Sequence, residues 1–380
     1  MDERKRIGLI YQYNENWIGG TYYILNIIRA LNKLDEPIKP FLTIYYNSGS
    51  SLDSISALGY KHIEFIKFSS ALSVPQKVGN ILSLKIFGTQ VFKKKLPANY
   101  VENFYFKTFD IDESNIGKYF FWIADLQDLC LPQFFRKREL DKRIANYNRM
   151  VKEKQPVVFS SNAALADFDR FFPGNSNLKK VLPFVSITDS DFKSISIGAL
   201  KVKFGIKGKY FICSNQFWRH KNHIVVLKAF ALFVKTNPEV QLVFTGKEHD
   251  YRDPDYTNEV KAYASQLGLD EKVLFLGFID RDEQLKLMEE SICIVQPSLF
   301  EGWSTTVEDA KFLNQPVICS DIAVHREQLP DSALFFTPAD ENQLLEKLNE
   351  VTANGYEGKM HFDYEAAIKK FGEGFLNIFN

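Results

Sequence analysis

The stretch LFEGWSTTVEDA, Leu299 to Ala310, sets a carboxylate, a glycine, a tryptophan, three hydroxyl residues and two further acids between two apolar runs. A plain strand-to-helix turn needs only a turn residue and a cap. Thr305-Thr306-Val307-Glu308 fits the capping box S/T-x-x-E, which gives Glu308 a structural role. Gly302 permits close backbone approach. The helix that follows offers unpaired N–H groups, and such a terminus attracts anions, typically phosphate. Capping leaves Glu301 unexplained. A carboxylate beside a phosphate site is a good acceptor for sugar hydroxyls. Asp309 sits one turn into the helix, within reach of ribose hydroxyls.

The elements that must position these groups follow from periodicity. Strands are expected at Tyr210–Cys213, Gln241–Phe244, Lys272–Leu276, Ile292–Val295, Val317–Cys319 and Ala333–Phe336. Between them, Asn222–Val234, Thr257–Leu267 and Arg281–Glu289 show helical spacing. Strands alternating with helices mean a doubly wound parallel sheet, whose ligands bind at the carboxyl ends of strands where strand order reverses. The first half repeats the logic. It has strand candidates at Arg6–Tyr11, Phe41–Tyr45, Ile63–Lys67, Tyr119–Ile123 and Pro156–Ser160, and a helix at Thr21–Leu31 preceded by Gly19 and Gly20, and Val181–Val185 closes this half. This divides the chain into a first domain, 1–190, and a second, 199–362, with 186–198 as linker. The amphipathic last helix, 363–380, is expected to pack back on the first domain.

The 380 residues suffice for two domains, and no apolar stretch is long enough to span a membrane. The start lacks the apolar core of a signal peptide. Cys130, Cys213, Cys293 and Cys319 are scattered, which suits buried thiols of a cytoplasmic protein and provides no metal cluster. Net charge is zero, yet residues 1–185 hold 26 Lys and Arg against 18 Asp and Glu, and the remainder carries the balancing acidic excess. Segment 74–109 is basic and aromatic, the composition of an interfacial anchor, and offers peripheral contact with an anionic membrane. A neutral chain with no nucleic-acid module argues against nucleic acid.

The opening motif resembles the E-x7-E region of retaining family 4 glycosyltransferases. The resemblance covers most of the chain and is strongest from Tyr210 to Gln328, where its companions are CSNQFWRHKNH from Cys213, FTGKEHDYRDPDY from Phe244, LFLGFIDRDEQL from Leu274 and SDIAVHREQ from Ser320. The resemblance implies an α/β GT-B fold, two Rossmann-like doubly wound parallel-sheet domains facing across a cleft. It implies transfer of a sugar from a nucleotide-diphosphate donor to a glycan or lipid-linked acceptor, with no cofactor and no metal. Carried over by position, Glu301 contacts the donor sugar. The turn Gly302, Trp303, Ser304 and Thr305 holds sugar and diphosphate, and Asp309 stands where the family has a ribose-binding glutamate. Lys221 matches the lysine on the leaving diphosphate. The usual arginine is Gln216 here, with Arg219 as a nearby substitute. Gly19 and Gly20 match the Gly-rich turn of the first domain, and Gly246, Gly277 and Phe278 complete the donor-binding set. Asp128, in WIADLQDLCLPQFF, occupies the place of a histidine near the reacting sugar. For His220 and His223, packing or capping is expected.

Three other readings follow from the same residues. A metal-dependent transferase would use a D-x-D triplet such as those starting at Asp110, Asp189 or Asp253. A nucleotide-sugar epimerase would share the fold. The departures at Asp128, Gln216 and Asp309 suit a non-catalytic sugar-binding or scaffolding relative.

Overall fold

The computed structural model describes residues 4–11, 18–46, 52–68, 72–87, 90–97, 101–109, 111–188, 191–329, 333–354 and 362–380. The turn before Gly19 and the triplet residues Asp110, Asp189 and Ser190 lie outside them. Contacts divide the chain into two units, one of residues 1–124, 141–187 and 365–380, the other of 125–140 and 188–364.

The first unit is built on a seven-stranded sheet: β1 (Arg6–Tyr11), β2 (Phe41–Tyr46), β3 (Ile63–Lys67), β4 (Val101–Tyr105), β5 (Ile116–Ile123), β6 (Val157–Phe159) and β7 (Lys179–Val181). Its order is β3-β2-β1-β4-β5-β6-β7, and every pairing is parallel. β4 was hidden in the basic segment because Glu102 and Asn103 interrupt its apolar pattern, yet it runs centrally beside β1. The last strand ends before Pro183, which has no N–H for a ladder. Gly19 and Gly20 do not form a turn: both lie in the first turn of the helix Ile18–Asn32. The last helix, Tyr364–Asn377, packs within this unit. Phe375 meets Tyr105 edge-on at 5.5 Å, and Phe379 meets Phe120 at 5.0 Å. Gly372 lets the two helices touch, since a Cβ there would lie 2.9 Å from the Ala30 carbonyl oxygen.

The second unit holds β8 (Tyr210–Ser214), β9 (Gln241–Thr245), β10 (Val273–Phe275), β11 (Ile294–Gln296), β12 (Val317–Ser320) and β13 (Leu334–Phe336). They run parallel in the order β10-β9-β8-β11-β12-β13. Every residue of β8 and β9 is buried, as helices on both faces of a parallel sheet require. Cys213 and Cys319 are buried thiols in these strands, and Cys293 is a buried thiol just before β11. The order reverses between β8 and β11, so the crevice of this sheet opens at their carboxyl ends. Among the described residues no helix is long and apolar enough to cross a membrane.

Candidate functional site

β8 feeds a loop ending in the short 3-10 helix Arg219–Lys221, which closes on Asn222 in the left-handed conformation, φ 57°. The Asn222 amide holds that corner by donating to the carbonyls of Pro297 and Pro338 at 3.1 and 2.7 Å. β11 feeds the loop that carries Glu301. The Leu299 N–H donates to the His220 carbonyl at 2.8 Å and stitches the two loops together. Lys221 Nζ therefore arrives 2.5 Å from Glu301 Oε1, with the two side chains only 15% and 9% exposed.

Glu301 Oε1 also accepts from Ser298 Oγ at 2.6 Å and from Gln296 Nε2 at 2.9 Å. Gln296 is fully buried at the end of β11, and its own carbonyl accepts from Asn215 Nδ2 at 2.8 Å. Its amide nitrogen also lies 3.0 Å from Ser304 Oγ. Asn215, Gln296, Ser298 and Ser304 thus fix the carboxylate from behind. Paired and hydrogen-bonded charge of this kind is tolerated where isolated charge is not.

The capping box is corrected by one residue. Ser304, not Thr305, caps the helix Thr305–Leu313, accepting from Val307 N–H at 3.3 Å. Glu308 then falls outside the box. It is fully buried against Lys311 at 2.9 Å and Gln328 at 3.0 Å. Burial pushes its carboxyl pKa up, against the opposing pull of Lys311. Gln328 grips the Ser304 backbone on both sides, accepting from its N–H at 3.0 Å and donating to its carbonyl at 3.1 Å. This leaves the first amides of the helix, at exposed Thr305 and buried Thr306, with no partner inside the helix. Gly302 is buried and Trp303 partly so in the turn before them.

Asp309 lies on the same helix, with its side chain 3% exposed, clasped by Arg281 through two bonds of 2.8 and 2.5 Å. The acid aligned with a ribose contact is thus one half of a bidentate ion pair. Arg219 does not join Lys221. Asp253 at 2.5 Å and Glu259 at 2.8 Å hold its guanidinium, which lies 4.8 Å above the Tyr256 ring. The last acidic triplet thereby gives its first member to an ion pair. His223 stacks on Phe217 at 4.5 Å, and burial with the nearby Lys221 charge pushes its pKa down to about 3. His220 is buried too and held neutral by burial first and by Lys221 and Arg252 next.

Gly246 has a structural explanation. At φ 140° its missing Cβ would stand 2.0 Å from the Asn215 carbonyl oxygen, so the segments leaving β8 and β9 can run this close only over glycine. Gly277 turns at φ 66°, and Phe278 beyond it is 72% exposed at the strand edge. Gln216 is partly buried. Gly19 is half-buried and Gly20 buried in the first unit. Asp128 is fully buried in the short helix Gln127–Cys130. A cavity of about 370 Å³ lies in the second unit, lined among others by Phe134, Phe135, Arg136, Arg219, His220 and Arg252.

Periodicity missed Gln296, Ser298, Gln328 and Arg281. Gln296 alone left a signal, a polar residue closing the apolar run Ile294-Val295 of a strand buried on both faces.

Two all-parallel sheets with this reversal of strand order define a GT-B glycosyltransferase fold. The structure is similar to that of Anabaena HepE, solved with UDP and glucose, at a TM-score of 0.66 and 14% identity over 98% of both chains. It is similar at 0.61 to WaaG, a glycosyltransferase involved in lipopolysaccharide biosynthesis, at 14% identity over 97% of this chain and 95% of that one. Residues 199–370 match the family model of glycosyl transferases group 1, and this part of the chain is a domain of that family. The O-antigen chain mannosyltransferase RfbU of Salmonella typhimurium is 28% identical over 165 residues, 41% of this chain and 44% of that protein. The chain thus spans less than half the length of this relative.

Proposed function

We propose that the chain is a retaining glycosyltransferase that moves a sugar from a nucleotide-diphosphate donor to a hydroxyl of a glycan or lipid-linked acceptor, without a metal ion. The observation that carries this is the Lys221–Glu301 pair at the reversal of strand order, beside the open end of the helix Thr305–Leu313. The donor diphosphate would lie between the Lys221 ammonium and the first helix amides. The Glu301 carboxylate would accept from sugar hydroxyls, and exposed Phe278 would offer its ring to the base. Asp309, with Arg281, would face the ribose.

In the reaction the bond from the anomeric carbon to the diphosphate oxygen breaks. The acceptor oxygen bonds to that carbon from the same face, and a phosphate oxygen of the leaving diphosphate takes the acceptor's proton. No covalent nucleophile on the protein is required. The chain's contribution is preorganised positive charge where the leaving group gains negative charge, which lowers the barrier because nothing need reorganise. Membrane-linked acceptors would bring a cytoplasmic enzyme to the inner face of the membrane.

The reading is tested by thermal stabilisation with UDP-, GDP- and other nucleotide sugars, then by donor turnover with any that bind, with and without a chelator. Stabilisation by a nucleotide sugar with chelator-resistant turnover is expected. Absence of binding to any of them would end the reading.

A further inference from the structure

The cavity of about 370 Å³ in the second unit has the size of a small-molecule site. Its wall carries three guanidinium groups, those of Arg136, Arg219 and Arg252, against two carboxylates, those of Asp250 and Asp253. Both acids are already paired. Buried Asp250 accepts from Arg252 Nε at 3.0 Å and Nη2 at 3.1 Å, and Asp253 accepts from Arg219 Nε at 2.5 Å. Stacking fixes the Arg252 guanidinium further, 5.0 Å from the Phe135 ring and 4.7 Å from that of Trp218. Among the described residues exposed Arg136 is paired with no acid; its partner is the neutral Tyr251 carbonyl at 3.0 Å. His220 is a second, independent sign of a ligand. It lines the cavity, is only 3% exposed, and its Nδ1 has no hydrogen-bond partner. A buried polar atom left unsatisfied in a native fold calls for an explanation.

The lining decides what chemistry fits. A guanidinium with no acid of its own, beside two more held in place, matches a carboxylate or a phosphate. The His220 imidazole, kept neutral by burial, meets a hydroxyl as donor or as acceptor. Phe134 and Phe135, both partly buried, supply apolar wall. A sugar that carries an acidic group satisfies all three. Lys221, Glu301 and Thr305 do not line this cavity, so it is separate from the place assigned to the donor diphosphate. We propose that the cavity binds a sugar residue through its carboxylate or phosphate, and that the acceptor glycan carries that residue. The acceptor role rests on the glycosyl-transfer reading; the binding of an acidic sugar does not, and the test separates the two.

The full chain is titrated calorimetrically with glucuronate, glucose 6-phosphate, glucose and inorganic phosphate. Binding of one of the two acidic sugars is expected, the tighter of them naming the acidic group, with glucose and inorganic phosphate each weaker by about tenfold or more. Arg136→Gln, at an exposed position, should lower the acidic-sugar affinity roughly tenfold, the loss of about one charge-assisted hydrogen bond. Its thermal unfolding and its stabilisation by nucleotide sugars should stay as in the parent. Lys221→Ala should keep the parent's acidic-sugar affinity. No binding of either acidic sugar, equal binding of glucose or of inorganic phosphate, or an Arg136→Gln variant that binds as the parent does would overturn the proposal. So would loss of binding in Lys221→Ala, because the anion would then sit at the diphosphate site. Nucleotide-sugar binding without acidic-sugar binding overturns this proposal alone. Acidic-sugar binding without nucleotide-sugar binding supports the cavity and ends the transfer reading.

Discussion

Lys221 and Glu301 stand 80 positions apart in the chain and 2.5 Å apart in space. Glu301 keeps neutral donors on Ser298 and Gln296, so its orientation does not rest on the lysine alone. The ammonium of Lys221, in contrast, has no second cation from Arg219 beside it, since Arg219 is held by Asp253 and Glu259. Lys221→Ala should therefore abolish measurable donor turnover, about 2–4 kcal/mol in the barrier. Circular dichroism should show the fold intact. Near-parental turnover in this variant would count against the proposed mechanism.

Gln296→Leu tests the support behind the carboxylate. The substitution nearly keeps side-chain size but strips donors from Glu301 and Ser304 and takes from Asn215 its oxygen acceptor, leaving it only the Cys213 sulfur at 3.5 Å. A buried polar group left unsatisfied costs about 1–3 kcal/mol. Denaturant titration should show a loss of that order. An unchanged midpoint would mean that the neighbours find other partners.

Arg281→Ala leaves the Asp309 carboxylate buried without its two guanidinium bonds. Removing one partner of a buried pair costs about 3–5 kcal/mol, and the partly exposed arginine places this case toward the lower end. If the pair faces the donor ribose, donor KM should rise more than kcat falls. A stability loss with donor KM unchanged would make the pair purely structural.

Gly246→Ala should be among the most damaging single-methyl changes in the second unit. The new Cβ meets backbone rather than a movable side chain, at a φ that L residues rarely adopt. Thermal unfolding should shift down well beyond the effect of Gly19→Ala, because nothing lies within 4 Å of a Cβ at Gly19.

Acid should destabilise the second unit through His223. Its folded pKa lies near 3 and its ordinary value near 6.5, so below 6.5 the unfolded state holds more protons. Stability is then flat with respect to this group above pH 6.5. It falls by up to about 1.4 kcal/mol per pH unit as pH drops toward 3. Buried His220 and His325, also shifted down, act in the same direction. Unfolding midpoints measured from pH 7 to pH 5 should fall less steeply in His223→Phe, which keeps a ring against Phe217. An identical slope would remove His223 from the account.

The sequence by itself determined the alternation of strands and helices, because burial on both faces of a parallel sheet writes continuous apolar runs such as Tyr210–Cys213. It also placed Glu301 and Lys221 at strand ends, because the turns after those runs carry the polar residues. It could not register elements whose pattern is interrupted, such as Val101–Tyr105, or choose Ser304 over Thr305 as the cap, since both hydroxyls suit the position. Which side chains meet was left to tertiary structure. Lys221 reaches Glu301 only because β11 lies beside β8, and Asp309 finds Arg281 only because their two helices are neighbours. Periodicity reports which face of an element is buried. Strand order, a property of the whole sheet, decides what that face or edge is buried against.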